Sequence, residues 1–127
     1  MVVSLTRHKS GGDAVEAMGP VDGMAVDISK LGNDWELVLH VLFLTPEKRA
    51  LFQVQGSEDD FETAMPGPTF NPSGEVKSTA PRKFVAKGSD YPSLPFGKAG
   101  AKLRLSLASL DAGASVRYSA FVRTPDS

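Results

Sequence analysis

Polar and apolar side chains alternate along much of this chain, at the spacing of β-strands. The cleanest run is Lys102-Leu103-Arg104-Leu105-Ser106-Leu107, with three leucines on one face and Lys, Arg and Ser on the other, as in an antiparallel strand with one wet face. Ser115 to Arg123 follows with Val116, Tyr118, Ala120 and Val122 on one side, and the intervening Asp111-Ala112-Gly113-Ala114 reads as a turn. Together they predict a closing hairpin. Met24 to Ile28 alternates likewise, with Met24, Val26 and Ile28 expected inward and Ala25 and Asp27 outward before a turn over Lys30 to Asp34.

Trp35 to Leu44 is different, because both of its faces are mainly apolar: Leu37, Leu39, Val41 and Phe43 on one, Val38, His40, Leu42 and Leu44 on the other. Its β-branched and aromatic content and its stop at Thr45-Pro46 predict a central strand, covered on both sides or completed at a contact with a second copy. Ala50 to Ser57 comes after the charged turn Glu47-Lys48-Arg49 and predicts a hairpin with that strand, Phe52 and Val54 inward and Gln53 and Gln55 outward.

The remaining segments are shorter. Val2 to Thr6 reads as an edge strand followed by a loop over Lys9 to Asp13, and Ala14 to Met18 is unassigned up to the stop at Gly19-Pro20. Glu58 to Pro81 is a long proline-rich connection with one short strand around Phe70, and Arg82 to Ala86 is a further strand. Lys87 to Gly97 is a loop whose aromatics are fixed by prolines, suited to capping the end of a sandwich. The 12 glycines and 9 prolines are spread throughout and leave no room for a long helix. These signals predict an all-β fold, an antiparallel β-sandwich or jelly-roll-like barrel of about 7–8 short strands. A single domain spans 1–127, with an N-terminal arm over about 1–13.

Composition narrows the function. Fourteen Lys and Arg nearly cancel 15 Asp and Glu, for a net charge of −1, so no general attraction to nucleic acid or anionic lipid is expected. There is no cysteine, which excludes disulfides, thiolate metal sites and a Cys nucleophile and is compatible with a reducing cytosol. The longest apolar stretch, Leu37 to Leu44, is interrupted by His40 and falls far short of the roughly 20 residues of a membrane-spanning helix. The opening Met1-Val2-Val3-Ser4-Leu5-Thr6-Arg7-His8-Lys9 places its basic residues after its apolar ones, the reverse of a secretory signal. The chain is expected to stay where it is made unless it leaves in a larger particle.

Candidate chemistry is sparse. His8 and His40 are the two histidines, and neither has a partner at metal-ligand spacing; His40 reads as a core or interface side chain and His8 as surface. Glu58-Asp59-Asp60 lacks the alternating ligands, central glycine and distal glutamate of a calcium loop and reads as a solvated turn. Gly97-Lys98-Ala99-Gly100 lacks the Ser/Thr ending of a phosphate-binding loop and precedes a strand. A sugar platform would have to draw on Trp35, Tyr91 and Tyr118. Trp35 and Tyr118 are expected in the core or at an interface, which leaves Tyr91. Asp59, Asp60 and His40 are the only plausible donors for enzymatic chemistry, and the expectation is a non-enzymatic protein with no metal and no cofactor.

The order of features from Met24 onward is similar to that of small β-sandwich capsid decoration, or cement, proteins of tailed bacteriophages. The likeness lies in Val-Asp-Ile-Ser-x-Leu (Val26 to Leu31), a long apolar strand, and the segment Phe52 to Phe61, which resembles their Gln-x-Ser-x-Asp-x-Phe strand end through Gln55, Ser57, Asp59 and Phe61. Gly100 to Leu105, Gly113 in the turn, and Tyr118 to Val122 resemble their closing strands. The loop Ala64 to Pro81 departs from the pattern in its richness in proline.

This resemblance implies a virion protein made in the bacterial cytoplasm. It would bind the major capsid protein on the outside of the shell, without nucleic acid or membrane, as a homo-oligomer (dimer or trimer). The contact regions expected on that reading are Val2 to Gly12, Pro66 to Pro81 and Ser89 to Phe96, with Val3, Leu5, Phe70, Tyr91 and Phe96 as candidate contact residues. The alternative reading is a carbohydrate-binding or adhesin-type module on the same architecture.

Overall fold

The computed structural model describes residues 2–6, 15–45, 47–74 and 82–124. Its strands are β1 (Val2–Ser4), β2 (Val15–Ala17), β3 (Val21–Asp22), β4 (Val26–Asp27), β5 (Glu36–Phe43), β6 (Lys48–Ser57), β7 (Met65–Phe70), β8 (Ser73–Gly74), β9 (Arg82–Lys87), β10 (Lys102–Leu110) and β11 (Val116–Arg123). A short 3₁₀ turn, Gly88–Asp90, follows β9. His8, the expected loop over Lys9 to Asp13 and residues 75–81 of the proline-rich connection lie outside the described residues.

Two antiparallel sheets pack into a β-sandwich. In the first, β11 lies between β5 and an edge made of β1 and β2, and β5 lies between β11 and β9. In the second, β10 lies between β6 and an edge made of β3 and β4, and β6 continues to β7 and β8. Counting β1 with β2, β3 with β4 and β7 with β8 as single lanes gives lane orders 1-8-3-6 and 2-7-4-5. That is the order of a jelly roll, two interlocked Greek keys. The two pieces of the first lane share a single path. Leu5 N donates to Ala120 O and Val15 pairs with Tyr118, so the two pieces meet β11 at sites separated only by Ser119.

This topology corrects both predicted hairpins. β5 and β6 lie in opposite sheets, as do β10 and β11, and β6–β7 is the hairpin instead. Alternation specifies which face of a strand is buried but not its partner, and strands crossing from sheet to sheet carry the same pattern as strands folding back. Met24 is also corrected. The edge lane slips by one position between β3 and β4, from Val21 opposite Leu107 to Val26 opposite Leu103, and Met24 turns outward, 55% exposed.

The inward faces are otherwise as expected. Leu37, Leu39, Val41 and Phe43 of β5 and Val116, Tyr118, Ala120 and Val122 of β11 meet Phe52 and Val54 of β6 and Leu103, Leu105 and Leu107 of β10, all buried. Each large side chain so buried contributes about 1.5–3 kcal/mol. Phe52 and Tyr118 meet edge to face across the two sheets at 4.8 Å. The loop after β9 caps one end of the core, where Phe96 stacks on Trp35 at 4.7 Å beside buried Leu94, Leu31 and Ile28.

The second apolar face of β5 points away from the core; its own sheet closes it at Val38, while His40 and Leu42 stay half-buried. Val38 is 1% exposed, flanked in register by Phe121 of β11 and Val85 of β9. The Phe121 ring lies 6.3 Å from His40 and 5.9 Å from the Arg123 guanidinium.

Candidate functional site

Among the five candidate contact residues, Leu5, Phe70 and Phe96 are core side chains, 1%, 8% and 4% exposed. They close an edge and the ends of the sandwich, so they are not surface anchors in the single chain. Val3 is half-buried on β1, and Tyr91 is half-buried with its ring 6.4 Å from that of Trp35. Trp35 and Tyr118 are core residues, each 4% exposed, as expected. His40 sits half-buried on the outer face of β5.

The large apolar side chains left exposed are unevenly placed. Of the five that are exposed among the described residues, Val2, Met18, Val21 and Met24, at 66%, 82%, 42% and 55%, belong to the β1–β4 stretch that borders β11 in one sheet and β10 in the other, and the fifth, Val85 at 43%, lies on β9. The link Met18-Gly19-Pro20 joins these two edges on one side of the sandwich. The opposite side is guarded. β7 carries Pro66 and Pro68, and β9 exposes Arg82, Lys83 and Lys87, the charged and proline-bearing kinds of edge that discourage strand addition.

The segment Gln55 to Phe61 builds the turn of the β6–β7 hairpin. The buried Ser57 hydroxyl donates to Asp59 Oδ1 at 2.6 Å and accepts the N–H groups of Asp59 at 3.1 Å and Phe61 at 2.9 Å. Asp59 Oδ1 also accepts the Thr63 N–H at 3.0 Å. The hydrogen bonds from Ser57 and Thr63 hold the Asp59 carboxyl below the usual aspartate range. Asp60 and Phe61 adopt left-handed backbone, φ 58° and 65°, a strained choice for a bulky side chain such as phenylalanine. The result sets the Phe61 ring 4.2 Å below the Arg104 guanidinium, whose Nε donates to Gln55 Oε1 at 2.9 Å. The acidic run is thus a solvated turn, with Asp60 paired to Lys102 at 3.0 Å. Among the described residues no group of three His, Asp or Glu side chains is placed to hold a metal ion, and no helix is long and apolar enough to cross a membrane.

A cleft of about 730 Å³ opens at one end of the first sheet, between Asn33–Glu36, Lys87–Ser89 and Arg123–Thr124. Nothing local in the sequence signals it, because three distant segments converge there. Gly88 N donates to Trp35 O at 2.8 Å and holds the 3₁₀ turn against the start of β5. A Cβ on Gly88 would stand 2.5 Å from Asn33 O and 2.7 Å from Trp35 Nε1, so only glycine permits this approach. Across the cleft, Arg123 Nη2 donates to Glu36 Oε1.

The fold defines a jelly-roll β-sandwich whose β1–β4 side exposes four of the five large apolar side chains exposed among the described residues, alongside Glu16, Asp22 and Asp27. No protein-family model, no curated protein and no solved structure matches the chain.

Proposed function

We propose that this chain is a non-enzymatic structural protein that binds the outside of a phage capsid and stabilises it. The observation that carries the reading is the unequal treatment of the sandwich edges. Four of the five large apolar side chains exposed among the described residues, Val2, Met18, Val21 and Met24, share the β1–β4 side, while the other side carries prolines and basic residues with Val85 alone exposed among them. An edge of this kind suits addition to a partner surface by backbone pairing and apolar contact. Repetition over many copies multiplies contacts that are individually weak. The resemblance of Val26 to Leu31, Gln55 to Phe61 and Gly100 to Leu105 to capsid decoration proteins supports the same reading. On this reading the partner is the major capsid protein, and the chain acts on the virion surface as a dimer or trimer.

The test is co-sedimentation with purified capsids and the heat resistance of capsids with and without the protein. Wild type is expected to co-sediment and raise the temperature at which capsids open. The double substitution Val21→Lys and Met24→Lys is expected to abolish binding while leaving the isolated protein's stability within about 0.5 kcal/mol, as for exposed positions generally. Failure of the wild type to co-sediment, or full binding by the double variant, overturns the proposal.

A further inference from the structure

We infer that the outer face of the first sheet is the contact between two copies of this chain, packed face to face about a two-fold axis that runs along the strands between β5 and β11. The two outer faces of the sandwich differ. On the second sheet the outward positions that lie in register are polar, Arg104 with Gln55, and Asp22 with Ser106, Gln53 and Thr69. On the first sheet one row across the strands reads Ser4, Phe121, Val38 and Val85. Val38 is closed, but Phe121 is half-buried and Val85 is 43% exposed. Leu42, also half-buried, lies on the same face. Among the described elements none forms a third layer over this row. An apolar row on an open sheet face is what one sheet of an aligned sandwich presents to another.

The charges around the row make the face complementary to itself. Toward one end the next row reads Val2, Arg123, Glu36 and Lys87. Rotation about the strand-parallel axis sets Glu36 of each copy on Arg123 of the other and Lys87 on Val2, with Phe121 on Val38 in the row beside them. On the far side of the apolar row Ser119, His40 and Lys83 lie in register, and the same rotation carries Lys83 to the edge that holds Glu16. No two like charges meet. An axis across the strands, along the apolar row, would instead set Lys83 on Lys87, so the face selects the first arrangement. Aligned sheets cross at about 30°, and the correspondences hold best near the axis, where Phe121, Val38, Glu36 and Arg123 lie. Lanes about 4.8 Å apart, taken over the length of Glu36 to Leu42, give roughly 450 Å² of face per copy and about 900 Å² for the pair. That is near the lower bound of about 1,000 Å² for a specific interface, so the dimer is a weak one, dissociating at about 10–100 µM. The contact gives a surface to the dimeric form of the proposed function, rests on that reading only for its role on the shell, and leaves Val21 and Met24 uncovered.

Sedimentation equilibrium of the full chain from about 5 to 500 µM brackets such an affinity, and wild type is expected to pass from monomer to dimer across it. Glu36→Arg and Arg123→Glu, whose side chains are 30% and 47% exposed, are each expected to weaken self-association more than about tenfold, because each sets like charges opposite one another. An equimolar mixture of the two variants is expected to restore the dimer, since a copy with two arginines then meets a copy with two glutamates. A pair that acts only within one chain gives no such rescue. Circular dichroism establishes that both variants fold; Val85→Lys, at its exposed position on β9, stands in for either that does not and is likewise expected to disperse the dimer. Val21→Lys with Met24→Lys is expected to leave self-association unchanged, which separates this contact from the one with the capsid. A wild type that stays monomeric or forms trimers, a mixture without rescue, or a dimer kept by Val85→Lys overturns the inference, and none of these outcomes bears on co-sedimentation with capsids.

Discussion

Replacing Ser57 by alanine tests whether one hydroxyl holds the β6–β7 turn together. The side chain is fully buried and makes three hydrogen bonds, to Asp59 Oδ1 at 2.6 Å, from Asp59 N at 3.1 Å and from Phe61 N at 2.9 Å. Each such bond contributes a net of about 0.5–1.5 kcal/mol, more when one partner is charged. Asp59 is exposed, so water replaces part of what it loses; the half-buried Phe61 N–H recovers less. A total loss of about 1.5–3 kcal/mol follows, with the left-handed Phe61, φ 65°, free to relax away from Arg104. For a domain of this size that lowers Tm by roughly 5–12 °C. Thermal unfolding followed by circular dichroism measures it, and the urea midpoint with an unchanged slope confirms a stability effect. A Tm within about 1 °C of wild type, at the level of an ordinary surface substitution, refutes the assignment of the turn to Ser57.

Three further outcomes are expected. Gly88→Ala forces a Cβ to within 2.5 Å of Asn33 O and 2.7 Å of Trp35 Nε1; the overpacking costs about 1–3 kcal/mol and shifts the tryptophan emission, and an unaltered Tm and spectrum contradict the described approach. Asp27 and Asp59 titrate below the ordinary aspartate value of about 3.9, held down first by hydrogen bonds from the Ser29 and Ser57 hydroxyls and then by backbone N–H groups. Their contribution is complete above the unfolded value and is lost as pH falls through the lower folded value, so Tm should fall below about pH 4, less steeply in Asp59→Asn; equal acid limbs in the two proteins exclude Asp59 as a source. Burial raises the Tyr118 phenol above its ordinary value of about 10, so its contribution is full below that value and lost as pH rises through the folded one. Ultraviolet titration should show phenolate from Tyr118 appearing together with unfolding, and a Tyr118 that ionises at its free value in the folded protein contradicts its place in the core.

Much of the sandwich is legible in the sequence because burial on one face writes itself as a period of two. Leu103, Leu105 and Leu107, like Val116, Tyr118, Ala120 and Val122, are buried as that period requires. Pairing is less legible. A strand's pattern is the same whether its neighbour folds back beside it or crosses to the other sheet, so β5 with β6 and β10 with β11 read as hairpins. Met24 is lost to a one-residue slip of register beside Gly23, where a Cβ would stand 2.1 Å from Leu105 O, a close approach that an isolated glycine in a strand pattern signals. The surface is legible only piecemeal. Leu5, Phe70 and Phe96 look like anchors because they sit in a terminal segment and in proline-rich loops, yet a sandwich must close its edges and ends, and apolar residues there serve that need. The Gln55 to Phe61 pattern is readable as a unit but not as a turn with Arg104 laid over it, since Arg104 lies 43 positions beyond Phe61. The cleft gathers residues 33–36, 87–89 and 123–124, segments too far apart in the chain for any local pattern to link them.

The jelly-roll order also has a consequence in time. β1 and β2 pair only with β11, and β3 and β4 only with β10, so the first four strands find their partners at residues 102–123. During synthesis at roughly 5–20 residues per second, the stretch from Val2 to Asp27 spends several seconds with no sheet to join. It holds Val2, Met18, Val21 and Met24, four of the five large apolar residues that stay exposed among the described residues. β6 and β7 can pair meanwhile, since their turn is local. Folding rate in this chain should therefore be set by late, long-range closure of the two outer lanes, and the β1–β4 side is also the last part of the molecule to assemble.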